Sequence, residues 1–356
     1  MYMYLYKKKI PALDVVRAFA TLQIVLFHFV CASYFSDQYV LLWGREGVAM
    51  FFMISGAGLI NKYYYNFSVK DFYRKRVLSI YIPFWICYCL VFIWHYFWNS
   101  FQVNFNAPIK NIWLTVFGID GIAGVYGIPT FYQIGEWYLG ILLLIYIVFP
   151  IWRIVFIKSP SMLLLVTIVL RIIIINNNVF VPLPVCFNPI TALSNFTFGA
   201  YGIYVLKTKR ETGEGQRNSC VRKVIILSFS LLIVVIGWIL GHKYGLQDYG
   251  EIMSAIGIYI ILWLITPYLQ KGIINRGIKF ICSISYIVFL IHHVIIYDMI
   301  SIVNNNASNK HLLFGCGLIC VTIITCAYLI HLVINDLSKL CIKIISRKRI
   351  VEKGKE

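Results

Sequence analysis

Apolar residues occupy most of this chain in long blocks, separated by short polar or basic stretches. A helix that crosses a bilayer needs about 20 such residues. The pattern predicts spans near Ala12–Tyr34, Gly47–Ile60, Val77–Trp98, Gly135–Phe156, Met162–Ile175, Ile190–Leu206, Val224–Leu240, Ile252–Leu269, Phe280–Ile302 and Leu312–Ile334. The blocks lack the two-residue alternation of barrel strands, and a helix satisfies its own backbone hydrogen bonds in hydrocarbon. The expected fold class is therefore all-α, a polytopic membrane protein with about ten transmembrane helices.

Composition agrees. Hydrophobic residues make up 60% of the 356 and charged ones 13%, about half the charged fraction of an ordinary soluble domain. No hydrophilic stretch is long enough for a soluble domain. Residues 1–340 read as one membrane domain and 341–356 as a basic cytoplasmic tail. The first apolar run contains Asp14 and Arg17 and is too long for a cleaved leader, so it is expected to remain as the first helix.

The net charge of +18 raises the question of nucleic acid, and its distribution answers it. Lysines and arginines sit in clusters between apolar runs, as juxtamembrane anchors do, so no nucleic-acid partner is expected. With ten spans and the N-terminus inside, 26 of the 32 basic residues fall on the cytoplasmic side. The outer side receives Arg45, Lys110, Lys243 and Lys310, and Arg17 and Arg171 lie within spans. This asymmetry places both termini in the cytoplasm. The ten cysteines lie mostly in apolar runs. Cys87/Cys89 and Cys316/Cys320 lack the clustering of a zinc site, so free thiols and no metal are expected.

Ionisable groups inside spans are costly, and each is a functional hypothesis. Asp14, Arg17, Thr21 and His28 are spaced by three, four and seven, which puts them on one stripe of the first helix. His28 lies about 16 Å deeper than Arg17. The bland alternative is an Asp14–Arg17 interfacial ion pair and a satisfied core histidine.

Leu13-Asp14-Val15-Val16-Arg17-Ala18-Phe19-Ala20, with ten residues between Arg17 and His28, resembles the opening signature of the acyltransferase-3 family. Gly47 through Gly56 resembles its second-helix motif, and Asp71 through Arg76, up to Ile82-Pro83, its basic cytoplasmic loop. Trp137-Tyr138-Leu139 and Ser285-Tyr286 through His292 are similar to two further motifs. The five occur in order across about 280 residues. The resemblance implies transfer of an acyl group, usually acetyl, from cytoplasmic acyl-CoA. The acceptor is typically a hydroxyl of a glycan or glycolipid at the outer face.

On that reading Arg17, Arg74 and Arg76 contact the CoA phosphates, whereas for Lys75 the topological role suffices. His28 serves as general base or as acyl carrier, with Asp14 and Glu136 as further catalytic candidates. Glu46 is expected at an outer helix end, where it either orients an acceptor hydroxyl or is simply solvated. Glu136 is a doubtful counterpart of the family's glutamate, which follows the tryptophan motif rather than preceding it. Ser79 stands where the family often has another arginine. Trp137 reads as a sugar platform or an interfacial belt residue. His292 and His293 point to different sides of their helix, and His292 matches the family motif. The outer segment Asn99–Gln133 is expected to cap the cavity. Ser55, Gly56, Gly58, Gly237 and Gly241 read as close helix-packing positions. Asn-, Lys- and Ile-rich composition suggests a bacterial plasma membrane and a surface polysaccharide acceptor. The competing class is a multi-helix transporter of a small solute or glycan precursor. Buried Arg and His also line transport paths, although no internal symmetry supports it.

Overall fold

The computed structural model describes residues 9–33, 41–98, 101, 107–134, 137–177, 185–211, 220–304 and 309–353. Among these, helices account for the regular structure and no strand occurs. In order they are α1 (Pro11–Ala32), α2 (Leu41–Tyr63), α3 (Val69–Trp98), α4 (Ile112–Val116), α5 (Asp120–Val125), α6 (Trp137–Lys158), α7 (Pro160–Asn177), α8 (Pro189–Glu211), α9 (Cys220–Lys243), α10 (Gln247–Leu269), α11 (Gly272–Asn304) and α12 (Asn309–Lys353). The ten long helices coincide with the ten expected spans, extended at one or both ends. Helix α12 runs on through the basic segment to Lys353. Eight of them are long and apolar enough to cross a membrane. The remaining two, α2 and α8, are more polar because they are central. Helix α8 buries Thr191, Ser194, Asn195 and Thr197, which a lipid-facing helix would not carry.

Side-chain pairs fix the helix directions. Asp14 meets Cys282 and His28 meets His293, so α1 and α11 run parallel. Ile80 with Tyr286 and Trp94 with Asp298 set α3 parallel to α11. Ile24 against Gly47 and Phe27 against Gly44 make α1 and α2 antiparallel. The C-terminus of α2 is held by two cations. Arg153 donates to the carbonyls of Tyr63 (2.5 Å) and Tyr64 (2.9 Å), and Lys207 donates to that of Ile60 (3.3 Å). They satisfy carbonyls that a helix end leaves open and oppose its negative dipole end.

Where backbones cross closely, glycine permits it. A Cβ on Gly56 would overlap the carbonyl of Phe196, and one on Gly199 the carbonyl of Met53, at the crossing of α2 and α8. Gly237 and Gly250 do the same for α9 and α10, with Gly241 beside them. Gly58, expected to pack likewise, faces open space.

The described part of the α3–α6 connection, 107–134, does more than bridge the two helices. Tyr81 donates to the carbonyl of Phe117 (2.9 Å), Tyr88 to that of Phe131 (2.7 Å), and His95 meets Gln133 (2.8 Å). The segment thus lies along α3 from Tyr81 to His95, about 21 Å of helix. Ile122 packs against Gly140 near the start of α6. Helix α6 therefore begins at the level of the middle of α3, and a folded-back segment fills the space above it.

Candidate functional site

Helix α1 sets the site. Its stripe directs His28 at α11, where His28 Nδ1 lies 2.8 Å from His293 Nε2. The two rings meet edge to face with centroids 4.1 Å apart. The His292 ring is 5.1 Å from that of His28, and its Nδ1 is held by the carbonyls of Val288 (3.0 Å) and Phe289 (2.9 Å). Three imidazoles therefore gather at one point, His292 buried and His28 and His293 half-buried. The expectation favoured His292. Both histidines reach the centre, and His293 makes the direct contact with His28, because α1 crosses α11 over the seam between the two side chains.

Lower on α1, Thr21 donates to the carbonyl of Arg17 (2.8 Å), which commits its hydroxyl to its own helix. Asp14 pairs with Lys9 at 2.8 Å, and its carbonyl accepts from Cys282 Sγ at 3.0 Å. Fourteen residues, about 21 Å, separate it from His28. The geometry therefore makes Asp14 an anchor of the basic end of α1, with Lys9 in the place expected for Arg17.

Aromatic and hydroxyl groups fill the level between Arg17 and His28. Tyr138 packs on Phe52 (4.6 Å), Phe289 (5.3 Å) and Phe51 (5.9 Å), and Phe289 in turn reaches His292 (6.3 Å). Arg17 is close enough for its charge to be felt at Tyr138. Below, Ser55 and Tyr146 hydroxyls are 3.3 Å apart, and the Arg76 guanidinium lies over the Tyr146 ring at 5.7 Å. Arg76 Nε is buried with no hydrogen-bond partner among the described residues, and Lys62 is near enough to repel it. Arg74 instead faces solvent in an i,i+3 pair with Asp71 (3.0 Å). The basic loop thus points one arginine inward and one outward.

Toward the opposite end a second polar group is buried between α2, α7, α8 and α10. Arg171 pairs with Glu251 at 3.3 Å, both almost fully buried, and Arg171 also donates to Asn195 (3.1 Å). Arg45 pairs with Asp248 at 3.1 Å. Glu46, 1% exposed, accepts from Gln23 Nε2 at 3.0 Å, so the solvated-end alternative does not hold. Trp137 packs edge-on against Phe187 (4.8 Å) and, with Arg45, Cys186, Asn195 and Glu251, lines a narrow cleft. Its interior has room for about one water molecule. Glu136 lies outside the described residues.

The Arg171–Glu251 pair was not among the expected site residues. Its signal was Arg171 itself, an intramembrane cation that demands a partner. Among the described residues no group of three His, Cys, Asp or Glu is arranged to hold a metal ion.

These features define a multi-pass membrane protein with a half-buried histidine cluster beyond a basic end. The chain belongs to the acyltransferase-3 family, whose acyltransferase domain matches residues 10–331. It is therefore an acyltransferase of the membrane. No curated protein and no solved structure matches it.

Proposed function

We propose that this protein is an O-acyltransferase that moves an acyl group, acetyl in the first instance, from cytoplasmic acyl-CoA to a hydroxyl of a cell-surface glycan or glycolipid. Ten spans with both termini in the cytoplasm put Arg17 and Arg76 on the CoA side, consistent with the charge asymmetry. The observation that carries the reading is the shared stripe of α1. Arg17 near the basic end and His28 about 16 Å deeper are separated by a distance that an extended pantetheine arm covers.

Arg17 and Arg76 bind the CoA phosphates, for which guanidinium is suited. The unpartnered Arg76 Nε and the neighbouring Lys62 support an anion there. The thioester then lies among Phe51, Phe52, Tyr138 and Phe289, whose bulk favours a short acyl chain. His28 Nε2 removes the proton of the acceptor hydroxyl as its oxygen attacks the thioester carbonyl. The carbon–sulfur bond breaks, and the proton passes from His28 to the leaving sulfur. A neutral imidazole supplies the lone pair that takes this proton. Glu46 and Trp137 are assigned to the acceptor side, with His292 packing the His28 ring. The location that fits such a reaction is a bacterial plasma membrane, as the Asn-, Lys- and Ile-rich composition suggests.

Its test is incorporation of radiolabelled acetyl from acetyl-CoA into envelope polysaccharide by membranes containing wild type or His28→Ala at equal abundance. Label that depends on His28 supports the reading. Equal incorporation by both overturns the role of His28.

A further inference from the structure

A neutral imidazole has one N–H and one lone pair, on different nitrogens. The 2.8 Å approach of His28 Nδ1 to His293 Nε2 needs a proton between them, supplied by one ring or the other. The consequences for His28 are opposite. With the proton supplied by His293, the Nδ1 lone pair of His28 is occupied, Nε2 carries hydrogen, and no site remains to accept a hydroxyl proton. With the proton supplied by His28, its Nε2 keeps the lone pair.

We propose that His293 is the positioning residue of the reaction: its Nε2 accepts the Nδ1–H of His28 and holds His28 in the tautomer that can act as a base. This rests on His28 being that base. The surroundings support the arrangement. His293 stands on a long helix, and its ring meets the Tyr297 ring edge to face at 5.0 Å. Hydrogen bonds from the neighbouring His292 to Val288 and Phe289 hold the same turn. Free imidazole side chains favour hydrogen on Nε2, so the base-competent form needs an acceptor at Nδ1, and His293 supplies it. Its role lasts through the reaction. When His28 takes the acceptor's proton on Nε2, the Nδ1–H donated to His293 belongs to a cation, and the hydrogen bond becomes charge-assisted and stronger. When Nε2 passes its proton to the departing sulfur, both rings return to their starting forms, and the Nδ1 proton never leaves His28.

Two variants separate this role from simple packing. In His293→Gln an amide oxygen takes the approximate place of Nε2 and still accepts. In His293→Phe the volume stays and the acceptor is lost. The primary readout is solid-state 15N NMR of histidine-labelled full-length protein in lipid, with the His28 signals assigned by difference from His28→Ala. The expected result is His28 protonated on Nδ1 in wild type and His293→Gln, and on Nε2 in His293→Phe. In parallel, CoA release from acetyl-CoA should fall about 100-fold in kcat for His293→Phe at unchanged KM, and stay within a few-fold for His293→Gln. Protonation on Nε2 in wild type, or one tautomer in all three proteins, overturns the proposal. CoA release indifferent to His28→Ala instead overturns the base assignment beneath it, so the two failures are distinct.

Discussion

Substituting alanine for Gly199 should separate α8 from α2 and disable the site without touching it. A methyl at Gly199 points into the carbonyl oxygen of Met53, and one at Gly56 into that of Phe196. Carbon and carbonyl oxygen settle at about 3.3 Å, and each methyl falls short of that by roughly 1.4 Å. The obstacle is backbone on both sides, so no side chain can swing away and the helices must part by about that amount. Overpacking of this kind costs 1–3 kcal/mol, and the rigid neighbour places Gly199→Ala near the upper end, about 3 kcal/mol. At roughly 2–4 °C per kcal/mol, the melting temperature in detergent at fixed scan rate should drop by about 6–12 °C. One separation accommodates both methyls, so the Gly56→Ala/Gly199→Ala double variant should cost clearly less than the sum of the singles. Because α2 also carries Glu46 and Ser55, CoA release by the surviving folded fraction should fall at least tenfold. A melting shift within 1 °C of wild type, or fully additive penalties, would refute the close crossing.

Other predictions concern charge. Arg171→Met leaves Glu251 buried without its ion-pair partner and should destabilise by about 3–5 kcal/mol. Adding Glu251→Leu should restore part of the loss, read as the interaction term of a thermal double-mutant cycle. Burial raises the Asp120 carboxyl in α5 to about 6, opposed by hydrogen bonds from Thr115 and Thr130. Because the folded value exceeds the unfolded one of 3.8, the folded state prefers the protonated form, and stability is lost as pH rises from about 4 through 6. The full penalty is about 3 kcal/mol, or about 2 allowing for solvent that reaches the carboxylate. Asp120→Asn should therefore melt higher than wild type at pH 7.5 and equally at pH 4, and a pH-independent difference would contradict this. Arg76→Gln should raise the KM for acetyl-CoA about tenfold or more, as loss of a charge-assisted contact does. Solvent-facing Arg74→Gln should change it less than twofold.

Much of the fold was legible because lipid leaves so little choice. Runs of some 20 apolar residues become helices, and clusters such as Lys70 through Arg76 mark the basic end, so an all-helical membrane protein was expected, and the described residues form long helices, eight of them apolar enough to cross a membrane. The α1 stripe was legible for the same reason: residues three, four and seven apart share a face whatever they pack against. Long-range pairing was not. Nothing local says that Arg171 will meet Glu251, 80 residues on, or that Tyr81 will donate to the carbonyl of Phe117 and draw the α3–α6 connection back along α3. The choice between His292 and His293 depended on where α1 crosses α11, a property of the bundle and not of either helix. Glu46 looked like a helix end because the apolar run begins at Gly47. The helix in fact starts at Leu41, more than one turn earlier, and the carboxylate is buried beside Gln23.

The central claim is that acyl-CoA is consumed at a centre run by His28 and fed by Arg17. Release of free CoA from acetyl-CoA by purified protein in nanodiscs tests it most directly, with wild type, His28→Ala and Arg17→Ala compared at equal fold and abundance. The account predicts turnover by wild type, a loss of 100-fold or more in kcat for His28→Ala, and a KM raised about tenfold or more for Arg17→Ala. Wild type that neither binds nor consumes acetyl-CoA, or turnover unchanged in His28→Ala, would contradict it.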